Sequence, residues 1–194
     1  QLSLTGGTEK TRFSMGGGLH RKDGIVRGSS FDRYSFKLNV DHAFSDKVNL
    51  GGNILAARTR ENITFNDNSS GVIYTALLTP PMVPARNLDG SFGAPSGDVV
   101  LTFNNPLANA LETEDVNKKN RILASIYGEA QIFSWLKYRT ELATDILNAN
   151  HNTFWPAFDR GSVQQKSRVR RNISNNFFWI NKHLLTVQPQ LAGE

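Results

Sequence analysis

Tyr34-Ser35-Phe36-Lys37-Leu38-Asn39-Val40-Asp41 alternates without a break between apolar and polar side chains. A period of two places the two sets on opposite faces of a β-strand. The same alternation continues in residues 48–58, after a turn at Ser45-Asp46-Lys47, and returns in residues 121–133 and 136–147. One face of the predicted sheet is therefore apolar, and the other carries charges and amides. This pattern is typical of a transmembrane β-barrel, whose apolar face meets lipid and whose polar face meets water.

The connections between the predicted strands alternate between short and long. Outer-membrane barrels have short periplasmic turns and long extracellular loops. We therefore predict an all-β fold, an antiparallel transmembrane β-barrel segment of about eight strands with long extracellular loops. The predicted strands are 2–5, 12–20, 32–44, 48–58, 121–133, 136–147, 168–180 and 184–191, with a short helix at 72–78. The predicted short turns are 6–9, 45–47, 134–135 and 181–182, and the long loops are 21–30, about 59–117 and about 148–165.

Five aromatic residues fall near the predicted periplasmic ends of strands, where outer-membrane barrels carry an aromatic girdle. They are Phe44, Phe133, Trp135, Tyr138 and Trp179. The alternative is that these rings belong to the core of a soluble β-sandwich. Small residues on the apolar face, such as Gly52, Ala124 and Gly128, would leave such a core thin and therefore favour the barrel.

The composition argues against several classes of function. The 194 residues include no cysteine, so neither disulfides nor thiolate metal sites can form. The four histidines are scattered, and neither an HExxH metal motif nor a G-x-S-x-G nucleophile elbow occurs. We therefore expect no metal, no cofactor and no enzyme activity.

The net charge of +5 comes partly from a basic run at residues 166–171. A nucleic-acid groove would interleave such cations with stacking aromatics, and this run contains none. We therefore expect no nucleic-acid partner. A solvated face is the simplest explanation of the basic residues, and contact with lipid phosphates is the alternative.

Several short motifs follow one another along the chain. Residues 2–13 read as a strand and a glycine turn that open a barrel, and 22–26, 31–35 and 38–41 continue the series. The long loop contains Pro80-Pro81, Asn87-Leu88-Asp89-Gly90 and Asn105-Pro106-Leu107-Ala108, and a later strand start lies at 182–187 with Gly193-Glu194 beyond it. In order and spacing, these motifs resemble the barrel of SusC/RagA-like TonB-dependent transporters of Bacteroidetes.

The resemblance implies a protein of the bacterial outer membrane. Residues 1–194 would form the N-terminal part of a barrel of about 22 strands, with the plug domain outside this chain. It also implies active nutrient uptake, such as glycan import, energised by the TonB complex through the plug. The expected partners are a SusD-like surface lipoprotein, an oligosaccharide or peptide cargo, and outer-membrane lipid. We expect the chain, which starts at Gln1 and stops at Glu194, to be an internal piece of a longer protein.

Aromatic rings and polar side chains in the predicted extracellular loops are candidates for cargo binding, because sugar rings stack on aromatics and hydrogen-bond to amides and carboxylates. We predict that seven residues face the cargo or the lipoprotein lid: Tyr74, Arg86, Asn87, Asp89, Asn152, Phe154 and Trp155. For each of them, packing of one loop against its neighbour is the alternative. For the whole chain, the alternatives are a soluble β-sandwich module that binds carbohydrate or protein, and a passive porin.

Overall fold

The fold is one antiparallel sheet of seven strands, with a helical loop and a short hairpin at one end. This computed structural model describes residues 1–66, 71–94, 101–160 and 163–188. Neighbouring strands of the sheet follow one another in chain order, and the hairpin β7–β8 precedes the last of them. The elements are β1 (Leu2–Gly7), β2 (Thr11–Asp23), β3 (Ser30–Ser45), β4 (Val48–Asn62), α1 (Val72–Leu78), α2 (Pro106–Glu112), β5 (Glu114–Phe133), β6 (Leu136–Trp155), β7 (Phe158–Arg160), β8 (Val163–Gln165) and β9 (Arg168–Val187).

The three short turns lie at one end of the sheet, and the long connections lie at the other. The pairs that flank these turns are Gly7 with Arg12, Ser45 with Val48, and Phe133 with Leu136. Four of the predicted girdle aromatics, Phe44, Phe133, Trp135 and Tyr138, lie at this same end, and the Phe133 and Trp135 rings stack with centroids 5.4 Å apart. The predicted division into a periplasmic and an extracellular end therefore fits the sheet.

The apolar face of the sheet has no second layer over it in the described residues. The register brings Leu38 opposite Ile54, and Ile54 opposite Ala124, so apolar rows run across the strands. Ile126 is 65% exposed, and Phe36 and Leu142 are also exposed. All buried apolar side chains of the described part belong instead to the loop between β4 and β5: Val72, Val83, Leu101, Ala108 and Ala110. A soluble sandwich would cover this face with a second sheet, so the arrangement favours a face that meets lipid.

The opposite face carries a polar network that crosses several strands. The Tyr127 ring lies over Gly51, and its hydroxyl donates to the Asp41 carboxylate at 2.6 Å. The Arg139 guanidinium lies 3.9 Å from the centroid of the same ring. Beside it, the Lys137 ammonium lies 3.2 Å from the Glu129 carboxylate. Such a surface suits the water-filled interior of a barrel.

The predicted turn at Asn181-Lys182 is wrong, because β9 runs through it as one strand of 20 residues. Asn181 pairs with Leu142, and the pairing with β6 continues without a break to Leu136. A full ladder of backbone hydrogen bonds outweighs the local turn preference of an Asn-Lys pair. The sheet consequently has seven strands rather than about eight, and Trp179 lies in the interior of β9 opposite Thr144 instead of at a strand end. The end of the predicted strand at Leu191 lies outside the described residues, as does Gly193-Glu194.

The strands extend further towards the extracellular end than the sequence predicts. The predicted loop 148–165 is wrong for residues 148–155, which belong to β6, and the predicted loop 59–117 shrinks to residues 63–113. The reason is that both faces become polar beyond the apolar band, as where Lys118 pairs with Asn150. The alternation therefore stops, although the backbone ladder continues.

Two short helices lie in the long loop and pack against each other. The first, α1, has the predicted bounds of 72–78. The second, α2, was missed, although its start carries a recognisable signal: Asn105 caps the helix and Pro106 takes the first helical position. In the described residues neither helix is long and apolar enough to cross a membrane.

Neighbouring residues on opposite faces of β6 give a first test of this arrangement. Leu142→Lys places a charge on the lipid-facing side, and we expect it to destabilise the folded barrel by about 2–4 kcal/mol. Ala143→Lys adds the same charge on the polar face and should leave folding nearly unchanged. The measurement is the heat-induced shift in gel mobility of the full-length protein extracted from membranes. Equal tolerance of both lysines would contradict the assignment of the faces.

A second prediction concerns Gly51, where a Cβ atom would lie 2.5 Å from Cε1 of Tyr127. Gly51→Ala must displace this ring from the Asp41 carboxylate, at a cost of about 1–3 kcal/mol for the overpacked site. Gly16→Ala is the matched control on the same face, because its nearest neighbour would lie at 3.5 Å. Thermal unfolding of the full-length protein in detergent should show a lower midpoint for Gly51→Ala alone.

Candidate extracellular binding cleft

A cleft of about 490 Å³ lies at the extracellular end of the sheet, between the long loop and the β7–β8 hairpin. Trp155, at the end of β6, and Arg168 and Arg170, at the start of β9, form one wall. Amide side chains form much of the rest: Asn104 and Asn109 from the long loop, and Gln164 and Gln165 from β8. The cleft therefore combines two permanent positive charges and several amides with four aromatic rings, those of Trp155, Phe65, Phe103 and Phe158.

Trp155 and the two arginines are brought together by strand register. Arg168 pairs with Trp155, and Arg170 pairs with Thr153, so all four side chains lie on the polar face. The guanidinium carbons of Arg168 and Arg170 lie 4.2 and 5.7 Å from the centroid of the Trp155 ring. The indole thus supports a positively charged surface through cation–π contacts. Such a surface can bind carboxylate, phosphate or sulfate groups, since an arginine fork matches their geometry.

The opposite wall depends on Asn105, which is almost fully buried at 5% exposure. Its side-chain oxygen accepts hydrogen bonds from the N–H groups of Leu107, at 2.9 Å, and Ala108, at 3.3 Å, and so caps α2. Its side-chain nitrogen donates to the carbonyl of Gly93 at 2.9 Å. One amide therefore ties the start of α2 to the preceding segment, and the adjacent Asn104 donates to Asn109 at 2.7 Å on the cleft wall.

Three of the predicted cargo-facing residues build a turn instead of lining the cleft. The Asp89 carboxylate accepts hydrogen bonds from the Ser91 hydroxyl at 2.6 Å and from its N–H at 2.9 Å. These bonds, and above all the one from the Ser91 hydroxyl, hold the pKa of Asp89 below its ordinary value. Asn87 donates to the Ser91 hydroxyl, and Arg86 donates to the Gly90 carbonyl and lies 4.3 Å from the Phe92 ring centroid. Their polar groups are therefore engaged within the turn itself.

The other four predicted residues are dispersed by the fold. Only Trp155 lines the cleft. Asn152 and Phe154 occupy even-numbered positions of β6, as do the residues of its apolar face. The register therefore directs their side chains away from the cleft. Tyr74 lies half-exposed on α1 and is outside the cleft lining. Sequence reasoning did not single out Arg168 and Arg170, which line the cleft, although it noted the basic run that contains them.

The chain resembles known proteins in both sequence and fold. No family model matches the chain. TonB-dependent receptor P26 of Formosa agariphila is 27% identical over 155 residues, which is 79% of this chain and 15% of the relative. TonB-dependent receptor P39 of the same organism is 25% identical over 188 residues, which is 93% of this chain and 17% of the relative. The chain thus spans about one sixth of the length of the curated relatives it matches.

The fold resembles that of solved structures of the RagAB peptide importer. In the closed-closed state of that importer the TM-score is 0.64 at 17% identity, over 90% of this chain and 20% of the other. A second structure, of the RagAB peptide transporter, gives 0.65 at 16% identity over 96% of this chain and 25% of the other. The predicted resemblance to SusC/RagA-like TonB-dependent transporters is confirmed. TonB-dependent receptors are outer-membrane proteins of Gram-negative bacteria, so the predicted fold class and outer-membrane location are confirmed with it.

Substitution of Asn105 tests how the cleft wall is held. Asn105→Ala removes the helix cap, worth about 1 kcal/mol, and leaves the Gly93 carbonyl without this donor. We expect faster cleavage of the 63–113 loop when the full-length protein is exposed to protease. Asn105→Asp keeps the capping oxygen but not the donor, so it should also be cleaved faster than the wild type. Wild-type resistance in Asn105→Asp would show that the bond to Gly93 contributes nothing.

Proposed function

We propose that this chain forms part of the barrel of an active transporter that imports an oligosaccharide or a peptide across the outer membrane. The observation that carries the proposal is the contrast between the two faces of one sheet. One face is apolar and has no covering layer in the described residues, and the other carries ion pairs and hydrogen bonds. Similarity to TonB-dependent receptors supports energised import rather than passive diffusion.

We further propose that residues 1–194 are the N-terminal part of a barrel of about 22 strands. The strands β1 and β9 are the two outer strands of the sheet. Their pairing with further strands of a larger barrel would satisfy backbone groups that, if unpaired in lipid, each cost several kcal/mol. In this proposal the plug and its contact with the TonB complex are contributed by other segments of the protein. A SusD-like lipoprotein closes the extracellular mouth, above the long loop and the hairpin.

The cleft beside Trp155 is the proposed contact with the cargo. For an oligosaccharide, the indole offers a stacking surface and the amides offer hydrogen bonds. For a peptide, Arg168 and Arg170 offer partners for its carboxylates. Tyr74 remains a candidate contact with the cargo or the lid. Arg86, Asn87 and Asp89 shape the loop that borders the mouth.

Uptake measurements test this proposal in the organism that carries the gene. Deletion of the gene should abolish uptake of at least one labelled oligosaccharide or peptide from a panel, and the intact gene should restore it. Trp155→Ala should lower that uptake at limiting cargo by roughly tenfold, the effect of losing about 1.4 kcal/mol of binding free energy. Phe154→Ala, the neighbouring residue on the other face, is the matched control and should support normal uptake.

Two outcomes would contradict different parts of the proposal. A deletion strain that takes up the whole panel normally would overturn the import function. Equal uptake by the Trp155→Ala and Phe154→Ala strains, with normal dependence on the gene, would overturn only the assignment of the cleft. Surface labelling of both variants checks that they reach the outer membrane in equal amounts.

A further inference from the structure

A second charged site lies on the lipid-facing side of the sheet, just beyond the end of the apolar band. A shallow groove of about 570 Å³ crosses strands β2 to β5 there. The groove is lined by Arg21, Asp32, Tyr34, Arg58, Arg60 and Lys118. These residues carry four positive charges and one negative charge.

The register confirms that these side chains share one face. Arg60 pairs with Asp32 on one side and with Lys118 on the other, and Arg58 pairs with Tyr34. Arg58 also continues the apolar series of β4, which runs through Ile54 and Ala56. The cluster is therefore on the outside of the proposed barrel and on the opposite face from Trp155 and the cleft.

The charges of this cluster are not balanced within the described residues. The Asp32 carboxylate accepts a hydrogen bond from Nε of Arg21 at 2.8 Å, and this ion pair balances the charge of Arg21. No described carboxylate lies within ion-pair distance of Arg58, Arg60 or Lys118. The polar face at the same level differs, since Lys119 has Glu61 and Arg121 has Asp145 as partners. Arg58, Arg60 and Lys118 thus form a cluster of three cations without a described carboxylate partner on the apolar side of the sheet.

The height of the cluster matches the surface of a bilayer. Arg58 is ten residues beyond Val48, the first apolar residue of β4. Ten residues span about 33 Å along a strand, and a barrel tilt of about 40° reduces this to a height of about 25 Å. The apolar band of an outer-membrane barrel is also about 25 Å tall. The guanidinium of Arg58 therefore lies at the level of the lipid headgroups.

We propose that Arg21, Arg58, Arg60 and Lys118 bind the phosphate groups of a phosphorylated lipid in the outer leaflet. Guanidinium groups bind phosphate through paired, charge-assisted hydrogen bonds, and an ammonium adds a compact charge. Asp32 holds Arg21 in position, and Tyr34, which is half-exposed, lies beside the charges at the edge of the apolar band. The lipid's acyl chains would cover the apolar rows directly below. This inference rests on the barrel fold and is independent of the cargo.

The test compares lipid binding by two double variants of the full-length protein. R58Q/R60Q removes two cations from the proposed site, and R33Q/K37Q removes two from the polar face of the adjacent strand. Each protein is placed in nanodiscs that contain bisphosphorylated lipid A or its dephosphorylated form, and bound lipid is measured by native mass spectrometry. We expect R58Q/R60Q to bind phosphorylated lipid A about tenfold to thirtyfold more weakly than the wild type, and R33Q/K37Q to bind it normally.

Two controls separate the loss of a lipid site from a loss of folding and from binding of free phosphate. Heat-modified gel mobility identifies folded protein, so weaker lipid binding is scored only for barrels that have kept their structure. Millimolar inorganic phosphate should displace little lipid, because it lacks the acyl chains that fill the apolar rows. Equal binding of phosphorylated and dephosphorylated lipid, or an equal loss in both double variants, would overturn the proposal. Complete displacement by inorganic phosphate would overturn the lipid as its occupant.

Discussion

The structure depends on one constraint: in hydrocarbon, each backbone N–H and C=O must find its hydrogen-bond partner within the protein. Strands β5, β6 and β9 are each 20 residues long, and β6 pairs with β9 from Leu136 to Trp155 without a register shift. The ladder holds even turn-favouring residues, such as Asn181 and Lys182, in an extended strand conformation. It also fixes the rows in which side chains meet, from the Tyr127–Asp41 bond to the arginines beside Trp155.

The sequence was most informative where the two faces differ in polarity. Between Val48 and Ala56 the alternation predicted both the strand and its lipid-facing side, because hydrocarbon tolerates few polar side chains there. Beyond Ala56 both faces carry mainly polar side chains, so the alternation no longer indicates a strand and only the backbone ladder maintains it. The predicted bounds failed there, as at residues 148–155. They also failed at Asn181-Lys182, where a local turn signal competed with a ladder formed by a distant strand.

The candidate cleft was only partly accessible to sequence reasoning. Trp155 was predicted from its residue type, but its partners depend on a register that a single sequence does not contain. Arg168 lies beside Trp155 only because β9 returns antiparallel after the hairpin. The turn at Arg86, Asn87 and Asp89 shows the converse case. Its residues looked suited to binding, yet the same hydrogen-bonding capacity is engaged in holding the turn.

The length of the strands has a consequence for where the protein meets its surroundings. A strand of 20 residues, such as β6, reaches about 66 Å, or about 50 Å in height at the usual tilt. Only about 25 Å of that is needed to cross the apolar band. The sheet therefore stands above the bilayer as a collar roughly as tall as its embedded part, with the cleft at its rim. Changes in the loops can then alter the surface of the rim, while the anchoring of the wall in lipid stays the same.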